Sequence, residues 1–423
     1  MKRLLSPLAI LISTITMFAQ TNSSFTEAKL SPAERSIVQA GRLIEKNPKN
    51  YEAYNALALA QSRRARETSD QSFYDQAEET LRKSVAISPG NFDGERIQVL
   101  VLLGRHEFAT AREEAQKLNK RVPDDVMVYG FLSDANAELG KYEEAEKAAQ
   151  LMLDLRAGNL PALTRAAYLR ELFGDVDGAL ELMQMALEST PPGETEDQAW
   201  ILSQIGHLQL SEGKLAKSED SLQRALSLFP GYCYALGYLG KLKVAQGKYD
   251  EAVSLLRQRY RAAPHAENGY DLGEALELAG QSSDAKKAFL EFEGKSLLET
   301  HKSYNSNREL IFYYADHAKQ PAQALEVAQR EFAHRHDVYT LDAYAWALHV
   351  NGRDEDARTE IGTALAVGIR DANLFRHAGA IALALGDRAA AQHYLTESSE
   401  LKAPGSEQAK MLLATLGAKA PQL

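Results

Sequence analysis

The chain has 423 residues, and 48 Lys plus Arg against 58 Asp plus Glu give it a net charge of −10. Apolar residues at 45% and charged residues at 25% are the balance of a folded globular chain, which excludes wholesale disorder. The acidic balance argues against a protein that neutralises nucleic-acid phosphates. A single Cys excludes both a disulfide framework and a Cys-rich metal cluster.

Lys2 and Arg3 precede an uncharged run from Leu4 to Phe18, followed by Ala19 and the polar stretch Gln20 to Ser24. This three-part layout is that of a secretory signal peptide, residues 1–19, with cleavage after Ala19. The run is short for a bilayer span and is interrupted by Ser6, Pro7, Ser13, Thr14 and Thr16. Export to the periplasm or outside the cell, in a bacterial envelope, is therefore expected. The alternative is an uncleaved membrane tether. Losing residues 1–19 removes two bases and no acid, which takes the net charge to −12. Residues 20–48 form a lead segment that ends in one helix, Pro32–Lys46, capped by Ser31.

From residue 49 to 404 a repeat takes over. Small residues recur at Ala77, Ala111, Ala145, Ala179, Ser218, Ala252, Ala285, Ala324, Ala357 and Ala391, in steps of 34, 34, 34, 39, 34, 33, 39, 33 and 34. Five residues before this anchor stands Gly140, Gly174, Gly213, Gly247, Gly280, Gly352 or Gly386. Twelve after it stands Pro89, Pro123, Pro191, Pro230 or Pro264. The Gly suits a left-handed helix terminus, and the Pro stops a second helix. The small anchor lets two helices approach closely. Four residues past the anchor a bulky apolar group recurs: Leu81, Met183, Leu222, Leu256, Phe289, Ile361 and Leu395, with Ala115, Ala149 and Ala328 departing from the rule. The pattern predicts helix, tight turn, helix, ten times over, with no strand.

These units resemble the tetratricopeptide repeat (TPR) family. Leu202-x2-Ile205-Gly206 leads to Gly213-Lys-Leu215, Ala225 and Pro230, and Leu236-x2-Leu239-Gly240 leads to Gly247-Lys-Tyr249, Ala252 and Pro264. The match is looser towards the ends, where the Ala324 unit carries Lys319 in place of the Gly. The resemblance implies an all-α, right-handed solenoid with a concave groove lined by the first helix of each unit. Inserts fall near 63–74, 190–196 and 293–307. Loops are the expectation for all three, and the two five-residue inserts, 190–196 and 293–307, could instead mark bends between sub-arrays. Residues 405–423 hold a capping helix, Ser406–Leu416, and a tail.

Catalytic motifs are lacking. The sequence has no Gly-rich phosphate loop, no His-Glu-x-x-His and no nucleophile elbow, so no catalytic residue, metal ligand or cofactor is assigned. His301, His317, His334, His336, His349, His377 and His393 crowd the last third, which leaves a His- or metal-dependent hydrolase as a remote alternative. Cys233 reads as a packed thiol.

The groove stripe carries the functional signal. In the three units anchored at Ala285, Ala324 and Ala357 it comprises Glu267, Tyr270, Glu274 and Glu277, then Ser306, Glu309, Tyr313 and Asp316, then Tyr339, Asp342, Trp346 and His349. Six of the twelve are acidic and four aromatic, where chain averages give about two and one. The first three units show a mixed stripe, and the Lys, Asn and Arg of the family's carboxylate clamp are absent. Carboxylates and flat rings in one stripe point to a basic, Lys- or Arg-bearing protein segment as partner. The competing expectation is that the rings pack between units and the acids are merely solvated. A non-enzymatic scaffold or adaptor follows, with a membrane-tethered assembly factor of an envelope or secretion complex as the alternative.

Overall fold

The computed structural model describes residues 30–417, so the expected signal peptide, residues 20–29 of the lead segment and the last residues of the tail lie outside it. Twenty-two helices and no strand occur among the described residues. Ten helix pairs follow a single helix, Pro32–Lys46, which Ser31 and Glu34 close with a reciprocal capping box. Units 1 to 5 pair Tyr51–Thr68 with Ser72–Ile87, Phe92–Gly104 with Phe108–Arg121, Val126–Glu138 with Tyr142–Leu155, Leu160–Leu172 with Val176–Ser189, and Thr195–Ser211 with Leu215–Leu228. Units 6 to 8 pair Cys233–Ala245 with Tyr249–Ala262, Ala266–Leu278 with Ser282–Leu297, and Asn307–Phe312 with Pro321–Phe332. Units 9 and 10 pair Val338–Val350 with Asp354–Leu365 and Ala372–Ala384 with Arg388–Glu400, and Ser406–Gly417 covers the last pair.

The local chemistry explains these boundaries. Asn91, Asp125, Asn159 and Asp371 each accept a hydrogen bond from the backbone N–H three residues on, which starts a first helix. All seven turn glycines have positive φ, between 66° and 81°. In units 2 and 8 the same left-handed position is filled by His106 and Lys319, at φ 59° and 53°. Each of the five prolines lies two residues past the end of a second helix.

The ten anchors are all buried, none above 3% exposed. The bulky residue four places on fills a gap in the partner helix. A Cβ added to Gly206, Gly240, Gly273 or Gly379 would lie 2.5–2.6 Å from Leu222, Leu256, Phe289 or Leu395. Opposite Ala115 the equivalent position carries Val99, which restores the lost volume, while opposite Ala149 and Ala328 stand Ser133, bonded to the Ala145 carbonyl, and Phe312, which stacks on His377.

Curvature then brings distant units together. The turn of unit 3 meets the start of unit 9, where a Cβ on Gly140 would lie 2.5 Å from the His336 carbonyl oxygen. Gly174 of unit 4 meets Gly368 just before unit 10 in the same way, and Gly213 of unit 5 meets Leu401 after it. In unit 2, His106 lies edge-on to Tyr304, just ahead of unit 8, with ring centroids 4.9 Å apart. The turn of unit n thus abuts the start of unit n+6, and successive coils close on one another.

Candidate functional site: the wall of the bore

Closing the coil converts a groove into a bore. Charged pairs hold the seam: Arg335 pairs with Glu138 and lies 3.3 Å from Asp337, and the Val338 N–H donates to the Tyr142 hydroxyl at 2.8 Å. Burial tends to raise the Asp337 carboxyl, but Arg335 and Arg308 outweigh it and hold it low. Burial beside the same two arginines pushes His106 down to about 3.

Inside, side chains from both halves face a common space. Tyr339 of unit 9 is within electrostatic reach of Glu171 in unit 4, Tyr238 in unit 6 and Asp371 before unit 10. Tyr168 is similarly near Glu138 and Tyr339. Burial pushes all three tyrosine hydroxyls upward. His207 lies 2.7 Å from Glu171 and stacks on Tyr238 at 4.7 Å. Lys241 is 3.6 Å from Asp271, which also pairs with Arg259.

The acidic and aromatic stripe of units 7 to 9 sits together, and much of it is spent on internal contacts. Tyr270 is buried, donates to Glu274 at 3.1 Å and packs among Phe289, Phe292 and His317. Buried Tyr313 lies against the same two phenylalanines. Trp346 donates from Nε1 to Asp316 at 3.0 Å and stacks on His377 at 4.2 Å. Asp342 contacts His377 at 2.7 Å, and His349 contacts Asp354 at 2.6 Å. His317 reaches Glu277 at 2.8 Å and Glu274 at 3.8 Å. Arg308 lies 5.7 Å from the Tyr339 ring centre and Arg376 lies 5.2 Å from that of Trp346, so both faces already carry a cation of the chain's own.

Glu309 is different. It is half-buried and makes no ion pair among the described residues, and burial near Glu267 and Asp271 raises its carboxyl despite the pull of Arg308. Asp371 is likewise half-buried and raised by burial, and its carboxylate accepts from the Leu374 N–H at 2.8 Å. Sequence reasoning missed Asp371 and the wall contributed by units 4 to 6. Continuing the stripe through those units would have picked out Tyr168, Glu171, His207 and Lys241, which occupy its third and fourth positions. Among the described residues no cluster of three or more His, Cys, Asp or Glu could hold a metal ion.

Residues 98–159 and 204–267 match the family model described as tetratricopeptide repeat. The chain thus carries tetratricopeptide repeats over those residues. It is similar to a TPR repeat-containing protein of Methanocaldococcus jannaschii, 29% identical over 122 residues, which is 29% of this chain and 21% of that one. It is also 29% identical over 133 residues to cellulose synthase operon protein C of Komagataeibacter xylinus, or 31% of this chain and 9% of that one. This chain spans about a fifth or less of these curated relatives. Among solved structures it is similar to PilW, titled a type IV pilus biogenesis factor, with TM-score 0.42, 13% identity, and coverage of 48% of this chain and 92% of that one. The TPR architecture is that of a protein-interaction scaffold, whose stacked hairpins create an extended inner surface.

Proposed function

We propose that this chain is an exported, non-enzymatic scaffold that holds a basic segment of a partner protein in its bore. The observation that carries this reading is the pair Glu309 and Asp371, two half-buried carboxylates with no ion pair among the described residues, the first near Glu267 and Asp271 and the second within electrostatic reach of Tyr339. A carboxyl raised by burial among other carboxylates is relieved by an incoming ammonium or guanidinium group. The tyrosine rings of the wall supply flat apolar area, and Arg308 over Tyr339 shows a guanidinium already lying on one such face.

The test is binding of short fluorescent Lys/Ser and Glu/Ser peptides at low and high salt, compared with the double variant Glu309→Gln with Asp371→Asn. Asn is chosen because it keeps the helix cap. The Lys/Ser peptide should bind best at low salt to the natural chain, and less well to the variant. Equal binding of both peptides removes the basic preference. Export rests on Lys2, Arg3 and the apolar run to Phe18. The mass of the mature chain tests it, since an intact Met1 in a membrane fraction would favour the tethered assembly factor.

A further inference from the structure

The first unit breaks the seam rule. Its first helix has 18 residues where most others have 13, because the insert near 63–74 lengthens it and is not a loose loop. By the n+6 relation its turn should meet only the start of unit 7, and it does come near His265 there. It also reaches units 5 and 6. Arg63 pairs with Glu194 at 2.5 Å and with Asp197 at 3.5 Å, and Arg66 pairs with both Glu196 and Asp197. Glu194 and Glu196 belong to the second insert and Asp197 follows it; within the insert Pro191, Pro192 and Gly193 are exposed while Glu196 is buried and accepts from the Tyr232 hydroxyl at 2.5 Å. Beyond Arg66 the turn lays Ser69 beside Cys233 and Gln71 beside Tyr304.

One turn touching the starts of units 5, 6 and 7 and the approach to unit 8 must lie across the end of the bore. We propose that this extended hairpin is a latch, held shut by Arg63 and Arg66 on Glu194, Glu196 and Asp197, and that it swings clear as a unit when those pairs are broken. Two inserts that lengthen the repeat at separate places supply the two halves of one contact, 130 residues apart. Unit 1 is the first hairpin of a stack where each packs mainly on its neighbours, and it carries with it the single helix Pro32–Lys46, bonded to it through Ser31 to Glu67 and Glu34 to Arg64. The latch itself stands whatever the bore binds. Only its role as a gate rests on the reading of the bore given above.

Cys233 is a built-in reporter. It is the one thiol in the chain, it is 5% exposed, and it lies under Ser69 of the latch. The experiment measures the rate of Cys233 modification by a chromogenic disulfide reagent at mildly alkaline pH, alongside helical circular dichroism. The natural chain is compared with Arg63→Gln/Arg66→Gln and with Arg63→Gln alone. The double variant should label at least about tenfold faster with its helical signal unchanged, and the single variant should fall between. High salt should speed the natural chain and leave the double variant unaffected. If the double variant unfolds, the single variant decides. Labelling rates within about twofold of the natural chain in a folded variant overturn the proposal.

Discussion

Gly240 and Leu256 form a matched pair: a Cβ on Gly240 would sit 2.6 Å from the Leu256 side chain, which is 2% exposed. Gly240→Ala should therefore destabilise by overpacking, at ~1–3 kcal/mol, partly offset by the better helix propensity of Ala. Leu256→Ala should cost ~2–5 kcal/mol through the cavity it leaves. Combined, the two changes should cost less than their sum, because the added methyl occupies part of the emptied space. Urea titrations of the four chains measure this coupling, and strict additivity would show that the two residues do not share a volume.

That pairing shows how much of the fold was legible. Anchor, turn glycine, terminating proline and bulky residue all lie within one unit, so their spacing is written in consecutive sequence. Ala115 reads as an exception because its compensating partner, Val99, lies on the other helix of the hairpin. The seam was not legible. Nothing near Gly140 or Gly174 announces His336 or Gly368, since contacts six units apart follow from accumulated curvature and not from any local pattern. The candidate site suffered in the same way. The spacing of the stripe is local to each helix, but the arginines over Tyr339 and Trp346 and the opposing wall from Tyr168 to Lys241 are tertiary facts.

Lys319 ends the first helix of unit 8 at φ 53°, the conformation glycine provides in seven other units. Just before it, Tyr313–His317 form a π-helical turn, so this is the least regular hairpin in the array. The Lys319 side chain is exposed, so its removal forfeits little packing. Lys319→Gly should stabilise the protein by ~0.5–1 kcal/mol, the left-handed strain relieved less the entropy gained by the unfolded chain. An unchanged or lower denaturation midpoint would show that unit 8 does not strain at this position.

His317 provides a pH signature. Burial alone lowers its pKa, but Glu274 and then Glu277 outweigh burial and raise it, with Asp316 adding to them. A histidine raised above its unfolded value of 6.5 contributes stability that is fully present below that pH. The contribution is lost as pH rises through the folded value. His106, pushed down to about 3, acts with the opposite sign, since stability is lost as pH falls from 6.5 toward that value. The difference between the natural chain and His317→Gln isolates this one group from the other histidines, so that stability gap should be wider at pH 6 than at pH 9. A gap independent of pH would mean that the two carboxylates do not hold the imidazolium.

The closing of the coil can be isolated with two glycines of like conformation. Gly174 and Gly247 have φ of 81° and 71°, so an alanine at either meets the same left-handed penalty of ~1–2 kcal/mol. Their surroundings differ. A Cβ on Gly174 would lie 2.5 Å from the Gly368 carbonyl oxygen across the seam, while a Cβ on Gly247 meets nothing within 4 Å. Gly174→Ala should therefore cost ~1–3 kcal/mol more than Gly247→Ala. Because the added cost falls on contact between coils, it should also open the seam. Small-angle scattering should then show a larger radius of gyration for Gly174→Ala than for Gly247→Ala at equal helical content. Equal stabilities and equal radii for the two variants would mean that the array in solution does not close on itself, and the bore would revert to an open groove.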